Sequence, residues 1–137
     1  MLSMQNNKAY QYGGIFVILI AVDQFLKFIL NKYYPSVIYE SQQNIIGLSS
    51  YLQLVLLIIL IVIIFLLYYK NKGFKENLIA FVFIIAGAIS NLIDRFSYHH
   101  VIDYIPIING YFNLSDLFIF FGLVLIILNI RKKTSSC

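Results

Sequence analysis

Charge is scarce in this 137-residue chain: Asp, Glu, Lys and Arg together make up 12% of it, about half the typical globular share of about 25%. That scarcity excludes an intrinsically disordered chain, which needs abundant charge and few large apolar residues. Cysteine is nearly missing. Cys137, at the last position, is the sole example, so a disulfide framework and a CxxC metal site are both excluded. Cys137 also matches no C-a-a-X signal and reads as an inert tail thiol. There is no internal repeat, low-complexity tract or Gly-rich phosphate loop. What fills the chain instead is apolar: 61% of its residues are hydrophobic, against about 45–50% in a typical soluble domain. The length allows one domain, and the composition is that of an integral membrane protein.

A bilayer core about 30 Å thick needs roughly 20 mostly apolar residues in a helix. Such stretches run approximately over 14–30, 51–69, 77–93 and 113–130. Asp23, Gln24 and Lys27 interrupt the first, and no small-residue cleavage site follows it, so it is not a cleavable signal peptide. Basic residues favour the cytoplasmic side. Lys8 precedes the first stretch, Lys70, Lys72 and Lys75 lie between the second and third, and Arg131, Lys132 and Lys133 follow the fourth. The expected architecture is all-α with four transmembrane helices, both termini cytoplasmic, and the 32–50 and 96–112 segments outside. The first of these contains Val37-Ile38-Tyr39, a weak strand signal. The same asymmetry explains the formal net charge of +4 without any nucleic-acid partner.

The polar residues carry the information. Six acids are present: Asp23, Glu40, Glu76, Asp94, Asp103 and Asp116. Glu76 stands among the cytoplasmic lysines as a solvated residue, but the four aspartates fall in or beside the outer half of the membrane. A carboxylate at bilayer depth costs about 2.5–3.5 kcal/mol and needs a partner or a purpose. Asp23 and Lys27, four apart, share a helix face, and an internal ion pair that fixes packing is their ordinary reading. Asp94 and Arg95 are helical neighbours facing different ways, whereas Asn91 and Asp94 share a face; interhelical hydrogen bonds and an interfacial Arg anchor are the bland readings there. Asp116 opens the fourth stretch, where an acid favours a helix N-terminus and Asn113 is a candidate N-cap. Asp103 sits among apolar neighbours with no base close by. If its segment returns to the membrane surface, Asp103 and Asp116 meet at the outer mouth of a helical bundle. Two carboxylates so placed share a proton, one as base toward water and the other as acid toward a peptide carbonyl. That is aspartic-protease chemistry and calls for neither metal nor organic cofactor. Neither acid has the D-T/S-G setting of soluble aspartic proteases.

Three blocks resemble the lipoprotein signal peptidase, or signal peptidase II, family. They are Asp23-Gln24 with Lys27; the run from Ala86 to Arg95 continuing to Val101-Ile102-Asp103-Tyr104, similar to GAxGNxxDR…VxDF; and Phe112-Asn113-Leu114-Ser115-Asp116, similar to FNxAD. The resemblance implies that Asp103 and Asp116 are the catalytic pair, with Asp23, Lys27, Asn91, Asp94, Arg95 and Asn113 supporting or lining the site. It implies an aspartic endopeptidase of the bacterial cytoplasmic membrane, active at the extracytoplasmic face. Its substrate would be a diacylglyceryl-modified prolipoprotein, cut before the lipidated cysteine. Membrane lipid would be its surroundings, and a monomer is expected. Ser90 and Ser115 replace the family's usual Gly and Ala, both small. The family's N-x-G-A-A-F/W-G reads here as Ser41-Gln42-Gln43-Asn44-Ile45-Ile46-Gly47, a larger departure bearing on how substrate is cradled.

Other readings compete. A small proton-coupled exporter also has four short spans, but wants its acid mid-span, where Asp23 alone qualifies and Lys27 stands ready to neutralise it. A divergent paralogue with altered substrates fits the changed 41–47 stretch. His99-His100 lack the third ligand that catalytic zinc wants and read as interfacial packing. The aromatics, Tyr 11 and Phe 12, are mostly lipid-facing, with Tyr33, Tyr34, Tyr98 and Tyr104 suited to the interface belt.

Overall fold

The computed structural model describes residues 2–40, 55, 58, 59, 62, 65, 66, 77–108 and 110–134. Within them the fold is mostly helical: α1 (Leu2–Tyr33), α2 (Leu78–Tyr98) and α3 (Leu114–Thr134). Four short strands accompany them, namely β1 (Tyr39–Glu40), β2 (Ile102–Asp103), β3 (Ile105–Ile107) and β4 (Gly110–Phe112). Two helices are long and apolar enough to cross a membrane, Tyr10–Tyr33 with 24 residues and Leu78–Tyr98 with 21, and Leu114–Asn129 is a shorter apolar helix. Of the expected second span, Val55, Ile58, Ile59, Val62, Phe65 and Leu66 are helical. The remainder of 51–69, the 41–47 stretch, Lys70, Lys72, Lys75, Glu76 and Cys137 lie outside the described residues.

The ends of α1 and α2 have local causes. Pro35 follows α1 by two residues and opens a 3-10 turn over Pro35–Val37, because its ring fixes φ and removes a backbone donor. That turn occupies Val37, so the strand expected over Val37-Ile38-Tyr39 forms instead at Tyr39–Glu40. α2 outruns the expected end at Ile93 and stops at His99, whose left-handed backbone (φ 63°) directs its N–H to the Arg95 carbonyl at 3.1 Å. Asp94 and Arg95 are therefore inside the last turns of α2 rather than at its end.

α2 is the middle element, packed on α1 and α3. Its buried side chains include Ala80, Ile84, Gly87, Asn91 and Asp94, spaced three or four apart along one stripe. The stripe changes character along its length. At the Ala80 end it joins Phe81, Ile84 and Ile126 in an apolar core with Phe65, Ile85, Leu123 and Leu125 against it. At the Asp94 end it is polar. Gly87 and Gly122 let α2 and α3 approach in antiparallel fashion: a Cβ on Gly87 would collide with the Ser115 carbonyl, and one on Gly122 would lie 2.6 Å from the Ala80 carbonyl. Small residues permit such close backbone contact between apolar helices.

The strands close the polar end. β2 pairs antiparallel with β1, Tyr39 opposite Asp103, and β3 pairs with β4 as a hairpin. The chain thus leaves α2, carries Asp103 on a strand, turns back through the hairpin and enters α3 within a few residues of Asp116. Strand structure therefore also lies between the second and third described helices, beyond the element expected after the first.

Candidate active site

The first turn of α3 positions one carboxyl. Asn113 is its N-cap: the side-chain Oδ1 accepts the Asp116 N–H at 2.9 Å, while the Asp116 Oδ2 accepts the Asn113 N–H at 3.2 Å. This is a reciprocal capping box made with Asn and Asp. The remaining free N–H groups of that turn are also satisfied, Leu114 by the Tyr104 hydroxyl at 3.1 Å and Ser115 by the Asp23 Oδ1 at 3.0 Å. Asp23 thus completes the cap of a helix far away in sequence. Helix-capping and proximity to the other site residues, which the sequence offered as rival explanations of Asp116, coexist in one geometry.

Beneath this turn lies a buried charge cluster. The Lys27 Nζ is 2.7 Å from both Asp23 Oδ2 and Asp94 Oδ2, all three side chains being essentially inaccessible to solvent. The i,i+4 pair read from the sequence is present, and Asp94 makes it a triad. The second Asp94 oxygen accepts from Gln24 Nε2 at 2.8 Å, and its Oδ2 also accepts the Ile102 N–H at 3.4 Å. Asp94 thereby ties the strand that bears Asp103 to α1. Ser90 Oγ donates to Asp23 Oδ2 at 2.7 Å and accepts from Gln24 at 3.0 Å. Charges this deep persist only when paired and hydrogen-bonded on all sides, as these are.

Two asparagines connect the triad to the other two acids. Asn91 Oδ1 accepts from Lys27 Nζ at 3.1 Å, and Asn91 Nδ2 donates to Asp116 Oδ1 at 2.8 Å. Asn113 Nδ2 donates to Asn91 Oδ1 at 3.0 Å and to Asp103 Oδ1 at 2.6 Å. Asp103, Asn113, Asn91 and Asp116 form one chain of hydrogen bonds. Burial, reinforced by the neighbouring charge of Asp116, pushes the Asp103 carboxyl up to about 7, against the opposing pull of the Asn113 N–H and the Lys27 charge. Burial likewise pushes the Tyr104 phenol up to about 12, so it stays a hydroxyl. Arg95 is half-buried; its Nη1 donates to the Asn91 carbonyl at 3.3 Å, and its Nε is buried without a partner among the described residues.

All eight residues singled out from the sequence converge on this end of α2. Sequence reasoning missed Ser90 and Ser115, read as tolerable small residues but in fact hydroxyl members of the network, and the bond from Tyr104 to α3. Their signal was present: a serine within a helix of a membrane protein needs a hydrogen-bond partner. His99 ends α2, and the His100 ring lies 6.3 Å from Tyr98. Among the described residues no group of three or more His, Cys, Asp or Glu is arranged to hold a metal ion.

The sequence profile of the family described as signal peptidase (SPase) II matches residues 15–132. The chain belongs to that family. It is 32% identical over 135 residues to a lipoprotein signal peptidase of Chromobacterium violaceum, covering 94% of this chain and 81% of that one. A lipoprotein signal peptidase of Bartonella henselae is 42% identical over 80 residues, 49% of each chain. Among solved structures, a bacterial membrane enzyme at 25% identity superposes with a TM-score of 0.68, covering 92% of this chain and 90% of the other. The protein is accordingly a membrane-associated bacterial peptidase of the signal peptidase II family.

Proposed function

We propose that this signal peptidase II is a single-domain, four-span enzyme of the bacterial cytoplasmic membrane that removes signal peptides from diacylglyceryl-modified prolipoproteins, cutting before the lipidated cysteine. Asp103 and Asp116 supply the chemistry, and it works as a monomer. The observation that carries this reading is the hydrogen-bond chain from Asp103 through Asn113 and Asn91 to Asp116, which holds two carboxyls in fixed relation above a neutralising lysine. With both termini cytoplasmic, that end of the bundle faces outward, where a signal peptide presents its lipid-bearing cysteine.

The two acids divide the work by their surroundings. Asp116 receives two N–H donors at the first turn of α3, which hold its carboxylate in place, and it is assigned the role of base. Asp103, buried and near another negative charge, holds its proton up to about 7. Asp116 takes a proton from water as the water oxygen bonds to the scissile carbonyl carbon, and Asp103 donates its proton to the carbonyl oxygen, giving a neutral gem-diol. Asp116 then passes its proton to the leaving nitrogen while Asp103 recovers one from the gem-diol. The C–N bond breaks, and both carboxyls regain their starting states. Asp23, Lys27, Asn91, Asp94, Arg95 and Asn113 hold this geometry.

A proton-coupled exporter is disfavoured. Its one mid-span acid, Asp23, is locked against Lys27, Ser90 and the α3 backbone, and the chain belongs to a peptidase family. The test is purified protein in detergent with a diacylglyceryl-modified precursor. Release of a signal peptide, leaving a product that begins at the lipidated cysteine, is expected. An intact lipidated precursor, or equal cleavage of the unlipidated form, contradicts the reading.

A further inference from the structure

One arrangement fills every acceptor place in the hydrogen-bond inventory around Ser115. An ammonium has three protons, and Lys27 gives two to Asp23 and Asp94, leaving the third shared in a bifurcated bond between Asn91 Oδ1 and Ser115 Oγ, each 3.1 Å away. An amide oxygen has two lone pairs. Those of Asn91 are taken by Lys27 and by Asn113 Nδ2. Asn113 Oδ1 receives the Asp116 N–H and has one place open. Ser115 Oγ lies 2.6 Å from both amide oxygens and has one proton to give. That proton goes to Asn113, where the place is open.

We propose that Ser115 is a positioning residue of the reaction: braced by the Lys27 ammonium, its hydroxyl fixes the orientation of the Asn113 amide and aims the Asn113 N–H at the carboxyl of Asp103. The inference rests on the assignment of Asp103 as proton donor. Two donors, the Asp116 N–H and the Ser115 hydroxyl, define which end of the Asn113 amide is oxygen, and the hydroxyl is the one backed by a full positive charge. A bond chain of this kind, Lys27 to Ser115 to Asn113 to Asp103, strengthens its last member because each bond polarises the next. Ser115 thus governs how readily Asp103 gives up its proton. The other charged groups bearing on Asp103 are Asp116 from α3, Lys27 from α1, and Asp94 and Arg95 from α2, and replacing Ser115 leaves all four in place.

Ser90 provides the control. It is an equally buried serine of the same network, but its hydroxyl goes to Asp23 and touches neither asparagine. The experiment is infrared titration of the protonated-carboxyl band that Asp103→Asn removes, in wild type, Ser115→Ala and Ser90→Ala, with cleavage of lipidated precursor against pH alongside. Losing the relay weakens the Asn113 donor, so Ser115→Ala moves the midpoint upward by roughly half a pH unit, and the alkaline limb of cleavage moves with it. Ser90→Ala leaves the midpoint where it is. Ser115→Cys keeps a weaker donor and gives a smaller shift of the same sign, covering the case in which the alanine variant does not fold. An unmoved midpoint in both Ser115 variants, or an equal shift in Ser90→Ala, overturns the inference. A wild type that titrates as expected but leaves lipidated precursor intact overturns the proposed function instead.

Discussion

Lys27 on α1 and Asp94 on α2 form a buried 2.7 Å ion pair that also holds Asp23 at the same distance. One ammonium therefore joins two helices and, through the Asp23 bond to the Ser115 N–H, a third. The three described helices meet at one cation.

Replacing that cation with an apolar residue of similar length, Lys27→Met, leaves two buried carboxylates without a neutralising charge. Breaking a buried pair in this way costs about 3–5 kcal/mol. The variant should unfold well below the wild type in detergent, measured by thermal denaturation. A melting temperature within a few degrees of wild type would mean that the triad carries little of the packing.

Asp23→Asn behaves differently. Asparagine still offers an oxygen to the Ser115 N–H, so the start of α3 and with it Asp116 stay near their positions, while the Lys27 pair weakens. Melting temperature should fall more than turnover at saturating precursor. The opposite balance would make Asp23 a participant in the chemistry.

The helix crossing gives a paired comparison. In Gly87→Ala the new methyl meets the Ser115 carbonyl, at the turn that positions Asp116, so stability and turnover should fall together, the latter at least about tenfold. Gly122→Ala meets Ala80 and Ile84 in the apolar core and should lower the melting temperature with a smaller loss of turnover. Gly13→Ala, which meets nothing within 4 Å, should change neither.

These contrasts show where the sequence was legible. The Asp23–Lys27 pair and the Asn113 cap follow from local spacing, since helical geometry alone brings residues three or four apart together. Asp94 did not yield its partner, because adjacency to Arg95 says nothing of which neighbouring helix each side chain meets. Ser90 and Ser115 read as small because size is a property of the residue, while the acceptors of their hydroxyls belong to the packing of three helices. The 3-10 turn at Pro35 displaced the β1 strand from Val37 because its site depends on pairing with β2, a partner more than sixty residues on. The length of α2 was also hidden, since Arg95, Ser97 and Tyr98 lie past the apolar run yet continue the helix to the left-handed His99.

Asp103 makes stability fall with rising pH. Its folded-state carboxyl is pushed up to about 7 by burial and by Asp116, whereas an unfolded aspartate ionises near about 4. Between those values the folded protein keeps a proton that the unfolded chain has released, so this contribution is full below about 4 and is lost as pH rises through about 7. Melting temperature should decline from pH 5 to 8, and Asp103→Asn should flatten that slope. Cleavage should also decline above about 7 as the proton donor is lost.

If two carboxyls act jointly on one water, neither can be spared, and single-turnover cleavage of a lipidated precursor by Asp103→Asn and Asp116→Asn measures that. Each variant should remain folded and bind precursor, yet cleave at least about a hundredfold more slowly than wild type. A variant of either residue that cuts at the wild-type rate would contradict the mechanism.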